Sequence, residues 1–227
     1  MTEPSYKAVG DSGLLVEFGS KVDDALNKIV LNLDSAILDA KIDGVTETVP
    51  ALVNLLVVFD PLATDHKAVE REVRKLIPVP DKASGSGKVH EIPVCYDPEL
   101  CPDLTAVAAA TNLSVDQVID FHSNSQMSVS MFGFAPGAAY LTGLPDAIQV
   151  PRKPQPVRGV PGGSVIIAGP QCIITPFVMP TGWSIIGRSP VEVLQMSGET
   201  SFLFDVGDTV TFKPVGRLAL PSALQVP

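Results

Sequence analysis

Apolar residues recur along this chain in two rhythms, and the change of rhythm divides it. Near the start, Leu14, Leu15, Val16 and Phe18 form a short apolar run behind a Gly-Asp-Ser-Gly turn, which reads as a strand. Val22, Leu26, Ile29, Val30, Leu33 and Ile37 then recur at helical spacing with Asp and Lys opposite, the mark of an amphipathic helix. Val45 to Val49 alternates apolar with polar as a half-buried strand does. Leu52 to Phe59 is almost continuously apolar until Asp60-Pro61, so it reads as a buried strand. Thr64 or Asp65 is placed to cap a second helix carrying Val69, Val73 and Leu76. Strand, helix, two strands and helix predict a small α/β sandwich of ferredoxin-like kind.

The stretch 78–88, PVPDKASGSGK, has no apolar periodicity and the composition of a linker. It places a first domain at 1–80, a linker at 81–88 and a second domain at 89–227. The second domain opens with an alternating strand, His90 to Tyr96. Two short helices follow, one near Asp103 burying Leu104 and Val107, the other opening with Ser114 and Gln117 at capping-box spacing. From 127 to 213 the helical rhythm disappears. The runs SVSMFGF, SVIIAG, CIITPFVMP, WSIIGR, VEVLQM, SFLFDV and TVTFKPV are strand-length and separated by Gly and Pro. They predict a closed or strongly curled antiparallel β-barrel, and the fold class is α+β.

Composition narrows the function. Of 227 residues, 45% are hydrophobic and 18% charged, enough to build a core. The net charge of -9, without a basic run, argues against nucleic acid as a partner. The polar start MTEPSYKAVGDSG is not a signal peptide, and no apolar run is long enough to span a membrane. Cys95, Cys101 and Cys172 are odd in number and irregular in spacing, which fits reduced thiols in the cytoplasm. No metal motif is present.

Candidate chemistry gathers in the second domain. In FGFAPGAAYLTGLP (132–145), glycines and prolines frame Phe134 and Tyr140. A stiff loop with free backbone N–H groups and an aromatic wall suits a small polar ligand, although a barrel corner has the same composition. In PRKPQPVRGVPGGSV (151–165), Arg152, Lys153 and Arg158 stand between prolines, where guanidinium groups are placed to meet a carboxylate or phosphate. Gly162-Gly163-Ser164 lacks a following Lys and opens a strand, so it is not a P-loop. His122, at the end of a helix, is a candidate general acid–base; a histidine favoured by the helix dipole would look the same. Trp183 follows a glycine and is placed to plug a barrel end. Arg188 lies on a turn between Gly187 and Ser189-Pro190, facing a ligand or a partner protein.

Several blocks in order resemble one family, variously called the 5-oxoprolinase B-subunit, allophanate hydrolase subunit 1 and Kip-type kinase inhibitor family. They are GDSGLLVEFG (10–19), VPALVNLLVVFDP (49–61), IPVCYDPELCPDL (92–104), His122, FGFAPGAAYLTGLP, VPGGSV, GWSIIGRSP and VGDTVTFKPV. The resemblance implies an N-terminal α/β domain and a C-terminal cyclophilin-like barrel. It implies ATP-dependent opening of 5-oxoproline to glutamate, with Mg2+ accompanying ATP and no prosthetic group. It also implies a paired protein of the 5-oxoprolinase C-subunit or allophanate hydrolase subunit 2 type, and sometimes a third component, the lactam-cleaving A-subunit. Mapped by position, His122 and Arg152 would be catalytic. Phe134, Pro136, Gly137, Tyr140, Ser164, Gln171 and Arg188 would bind substrate. The chain departs from the family pattern at Met127 and Thr175, where Tyr is usual, at Ala138 for Phe, at Val157 for Arg, and at Ile173 and Thr181 for Gly.

Two function classes follow. In an enzyme complex, His122 would handle a proton, Arg152 or Arg188 an anion, and N–H groups near Gly137 a developing oxyanion. As a Kip-type inhibitor, the barrel would dock on a histidine kinase without chemistry. Peptidyl-prolyl isomerase activity would rest on fold analogy alone.

Overall fold

A computed structural model describes residues 3–78, 87–195 and 201–224. Most of the expected linker, 81–86, therefore lies outside the described residues. The chain divides into two compact units, Met1–Gly85 and Ser86–Pro227.

The first unit runs β1 (Ser5–Val9), β2 (Gly13–Glu17), α1 (Asp24–Ala40), β3 (Val45–Pro50), β4 (Asn54–Phe59) and α2 (His66–Lys75). Its four strands lie in the order β1-β2-β4-β3, each antiparallel to its neighbour. A ferredoxin-like unit runs β-α-β-β-α-β; here the chain order is ββαββα, with a strand at the front instead of the end. Alternation sorts the faces. Leu14 and Val16 of β2 and Leu55, Val57 and Phe59 of β4 form one core with Val30, Leu33 and Ile37 of α1 and Val69 and Val73 of α2. Burying each such side chain stabilises by about 1.5–3 kcal/mol. Asp23 caps α1 by accepting from the Leu26 N–H at 3.0 Å, and Asp65, not Thr64, caps α2 by accepting from the Ala68 N–H at 2.9 Å.

The second unit begins with β5 (Val89–Val94), α3 (Leu104–Thr111) and α4 (Val115–Ser123), the last opened by the Ser114–Gln117 capping box. Then come β6 (Gln126–Phe132), β7 (Ala139–Thr142), β8 (Val157–Val160), β9 (Ser164–Ala168), β10 (Gln171–Ile174), β11 (Met179–Thr181), β12 (Ser184–Arg188) and β13 (Thr209–Pro214). Seven strands form one sheet in the order β12-β9-β10-β7-β6-β13-β5. Its two edges meet. The Cys95 N–H donates to the Arg188 carbonyl at 2.8 Å and the Arg188 N–H returns to the Cys95 carbonyl at 2.9 Å. Farther along the same edge, the Ile185 N–H donates to Asp103 Oδ2 at 2.7 Å. The sheet is a nearly closed barrel.

The barrel is not wholly antiparallel, because β13 pairs with β5 in parallel. A parallel pair needs a long connection between its strands, and nearly all of the unit's chain supplies it. Inside lie Val94, Val129, Leu141, Val165, Ile167, Cys172, Ile186 and Phe212. The alternate residues Ile166, Ala168, Ile173 and Ile185 join Val160 of β8 and Trp183 in a second cluster. Trp183 therefore packs on the sheet's other face and does not plug the barrel.

Candidate functional site

His122 sits deep in the barrel unit. It is fully buried, with its ring 4.2 Å from that of Phe212. Its Nδ1 lies 2.7 Å from Tyr96 Oη and its Nε2 3.7 Å from Cys172 Sγ. If Tyr96 donates to Nδ1, the remaining Nε2–H faces the sulfur and no buried O–H is left without an acceptor. Burial pushes the imidazole pKa down to about 3 and raises those of Tyr96 and Cys172. The ring, neutral and with a neighbour at each nitrogen, ties α4 to the barrel core and is not open to solvent. Nor does the structure bring it to Arg152, which is exposed with its guanidinium carbon 5.5 Å from the Trp183 ring centre.

Arg188 and Ser164 form a different kind of pair. They stand directly opposite one another on β12 and β9, where side chains share a face with Cβ atoms about 4.5–5.5 Å apart. Arg188 is only 3% exposed, yet its guanidinium makes no hydrogen bond or ion pair among the described residues, and Nε is sealed and unpartnered. Ser164 is fully buried and its Oγ is unpartnered too. Burial lowers the arginine pKa, and the Cys101 thiol lies near enough to interact with it. Burial in turn raises the Cys101 thiol to about 12, so it stays neutral. Such a cation costs several kcal/mol to bury unpaired. The backbone beside it is held firmly: Ser164 N–H donates to Thr175 Oγ1 at 2.9 Å, and Gly163 N–H to the Thr175 carbonyl at 2.7 Å. Gly163 has φ +77°, and a Cβ there would lie 2.3 Å from the Ser189 carbonyl oxygen, so only glycine fits.

The remaining candidates lie elsewhere. Gln171 is paired with Ala168, four residues from Ser164 along β9, or about 13 Å. Its buried Nε2 also lacks a partner. The hairpin loop between β6 and β7 exposes Pro136 and leaves Phe134 70% exposed at φ +67°, a conformation an aromatic residue rarely holds. Gly137 turns the loop at φ +77°. The N–H groups of Gly133, Ala135, Ala138 and Ala139 bond to carbonyls within the segment, so few are free to meet an oxyanion. Tyr140 meets Trp183 edge-on at 5.7 Å, giving a Tyr140–Trp183–Arg152 stack. Lys153 is engaged with Asp103 at 2.6 Å. Arg158, expected in a loop, stands exposed on β8.

The family model for the carboxyltransferase domain, subdomain C and D, matches residues 4–204. The chain belongs to this carboxyltransferase-domain family. Among curated relatives, the 5-oxoprolinase B-subunit of Bacillus subtilis is 34% identical over 90% of both chains. The protein of the same name from Escherichia coli O157:H7 is 32% identical over 91% of this chain and 94% of its own. The crystal structure of TTHA0988 matches with a TM-score of 0.78 at 34% identity, covering 89% of this chain but only 40% of that one. The departures from the family pattern have separate places in the fold. Met127, Ala138 and Ile173 are core residues, and Thr181 Oγ1 accepts the Trp183 N–H at 3.0 Å. Thr175 is the residue that sequence reasoning missed: counted there as a departure, it positions Ser164. Tyr96 and Cys172 were missed because nothing local marks residues that meet only across a barrel.

Proposed function

We propose that the chain is the B-type component of an ATP-dependent complex that opens 5-oxoproline to glutamate. The observation that carries this reading is the end-to-end likeness to relatives of that name, joined to a buried arginine and serine left without partners in the barrel. Arg188 and Ser164 bind, while Phe134, Pro136, Gly137, Tyr140 and Arg152 form a rim that faces another polypeptide. His122 keeps α4 seated on the barrel.

The second polypeptide is of the 5-oxoprolinase C-subunit type, and a third, of the A type, cleaves the lactam. That most of TTHA0988 lies outside the match favours such pairing. ATP with Mg2+ supplies the driving force, but the Gly162-Gly163-Ser164 turn is not a phosphate cradle for it: the Gly163 N–H is already used and Ser164 opens a strand. The nucleotide is therefore assigned to the complex and no step to residues here. Three buried, unpaired cysteines fit work in the cytoplasm.

Co-expression with the products of neighbouring reading frames tests the reading. The purified complex is expected to release glutamate from 5-oxoproline in step with ATP hydrolysis. A stable complex that hydrolyses no ATP in response to 5-oxoproline would sink it.

A further inference from the structure

We propose that Arg188 and Ser164 form a subsite for a single carboxylate group, the acid end of 5-oxoproline. This rests on the reading above that the chain serves a 5-oxoprolinase. Four observations carry the inference. Both residues are more than nine-tenths buried, and each carries a sealed, unpartnered side-chain atom, Arg188 Nε and Ser164 Oγ. The register sets them side by side on one face of β9 and β12. The unpartnered atoms are an N–H and an O–H, so what is missing is an acceptor. No carboxylate of the described residues pairs with Arg188: Asp103 is taken by Lys153 and the Ile185 N–H, and Asp97 by Arg217 and the Glu99 N–H.

Charge selects among anions. Arg188 is one positive charge, and two other cations of this unit are engaged elsewhere, Lys153 by Asp103 and Arg152 over Trp183. A carboxylate neutralises one charge and leaves none. A phosphate dianion would leave a negative charge in a buried place, at a cost of several kcal/mol. The two oxygens of a carboxylate also match two donors, one accepting from the guanidinium and the other from the hydroxyl. Gly163 lets the chain pass close beside the pair: a Cβ there would lie 2.3 Å from the Ser189 carbonyl oxygen and 3.8 Å from the Arg188 stem.

The unliganded protein carries the penalty of an unpaired buried cation, so removing the cation separates binding from folding. Thermal unfolding of the full chain, alone and in the reconstituted complex, is followed with 5-oxoproline, with 2-pyrrolidinone, which lacks the carboxylate, and with inorganic phosphate, all at one ionic strength. The expected result is a rise in Tm with 5-oxoproline only. Arg188→Met should unfold no earlier than wild type without ligand and show no rise with 5-oxoproline. Ser164→Ala, a smaller change that also covers a misfolded Arg188 variant, should bind 5-oxoproline about tenfold more weakly, the loss of one hydrogen bond to a charge. Equal stabilisation by 2-pyrrolidinone, stabilisation by phosphate alone, an unchanged response in both variants, or no response of either wild-type preparation would each overturn the subsite. Arg188 engaged by a side chain of the partner belongs to the last outcome. The two readings fail separately. A complex that turns over 5-oxoproline with an unchanged KM in both variants refutes the subsite alone. A 5-oxoproline response lost in Arg188→Met, in a complex without turnover, refutes the 5-oxoprolinase reading alone.

Discussion

A helix-end histidine and a helix-buried histidine have the same sequence, and only the partners across the fold separate them. His122 meets Tyr96 at 2.7 Å and Cys172 at 3.7 Å, residues 26 and 50 positions away, and no local pattern announces either. Arg188 and Ser164 could be named from motif position, but their lack of partners is a property of burial, visible only once β9 and β12 are paired. The pKa of His122 has a consequence for stability. Its folded value, about 3, lies below the ordinary 6.5, so between those values the unfolded chain binds a proton that the folded chain refuses. Unfolding free energy therefore rises with pH across that window, and stability is lost as pH falls from 6.5 towards 3. His122→Gln, which cannot titrate, should flatten this dependence in urea unfolding at pH 7 and pH 5. His122→Ala should cost about 2–4 kcal/mol at pH 7 from the cavity and the orphaned Tyr96 hydroxyl. A wild-type stability that does not change between those two pH values would contradict the assignment.

Elements with a buried face were legible in the sequence and elements without one were not. The apolar stripe of α1 and the continuous run of β4 announce themselves, because one core pulls on both. Strand β1 escaped notice in a polar N-terminus because four of its five residues are exposed, and only Tyr6 packs against the core while the rest is held by pairing with β2. The runs VEVLQM and SFLFDV have strand composition, yet their described residues make a single bridge, Leu194 to Phe202; apolar content does not supply a paired neighbour. The parallel β5–β13 pair was equally hidden, and a carboxylate holds its start. Asp208, 2% exposed, accepts from the Lys88 N–H at 2.7 Å, His90 Nε2 at 2.8 Å and the Asp205 N–H at 2.9 Å. Burial works to raise its pKa, but these hydrogen bonds outweigh burial and hold it below the usual carboxylate range. A lowered carboxylate contributes stability above its unfolded pKa and loses it as pH falls through the folded value. Asp208→Asn should therefore cost about 2–4 kcal/mol at neutral pH, and the cost should shrink as pH falls through the folded value and the native group takes up its proton. Thermal unfolding followed from pH 7 down into the acid range measures this, and a cost that stays constant to the lowest pH at which the protein folds would refute the charge-based account.

At the scale of the whole molecule, the division into two units was legible because the hydrophobic rhythm changes from mixed strand and helix to short strands between turns. What makes the division physical is that the cores do not mix. The cluster of the first unit draws only on residues before the linker, and the two clusters of the second only on residues after it. The barrel also closes on itself, through Cys95 with Arg188 and Asp103 with Ile185, and borrows no strand from the first unit. A unit with its own core and its own closure carries the terms that fold it. Residues 86–227 produced alone should therefore fold cooperatively. Trp183, the only tryptophan in the chain, lies in this unit and is 5% exposed, so its fluorescence reports the barrel and nothing else. The fragment should show the blue-shifted emission of a buried indole and lose it in one transition with urea, with the midpoint seen by the same probe in the intact chain. Emission at the wavelength of free tryptophan in the absence of urea would mean that the barrel needs the first unit in order to close.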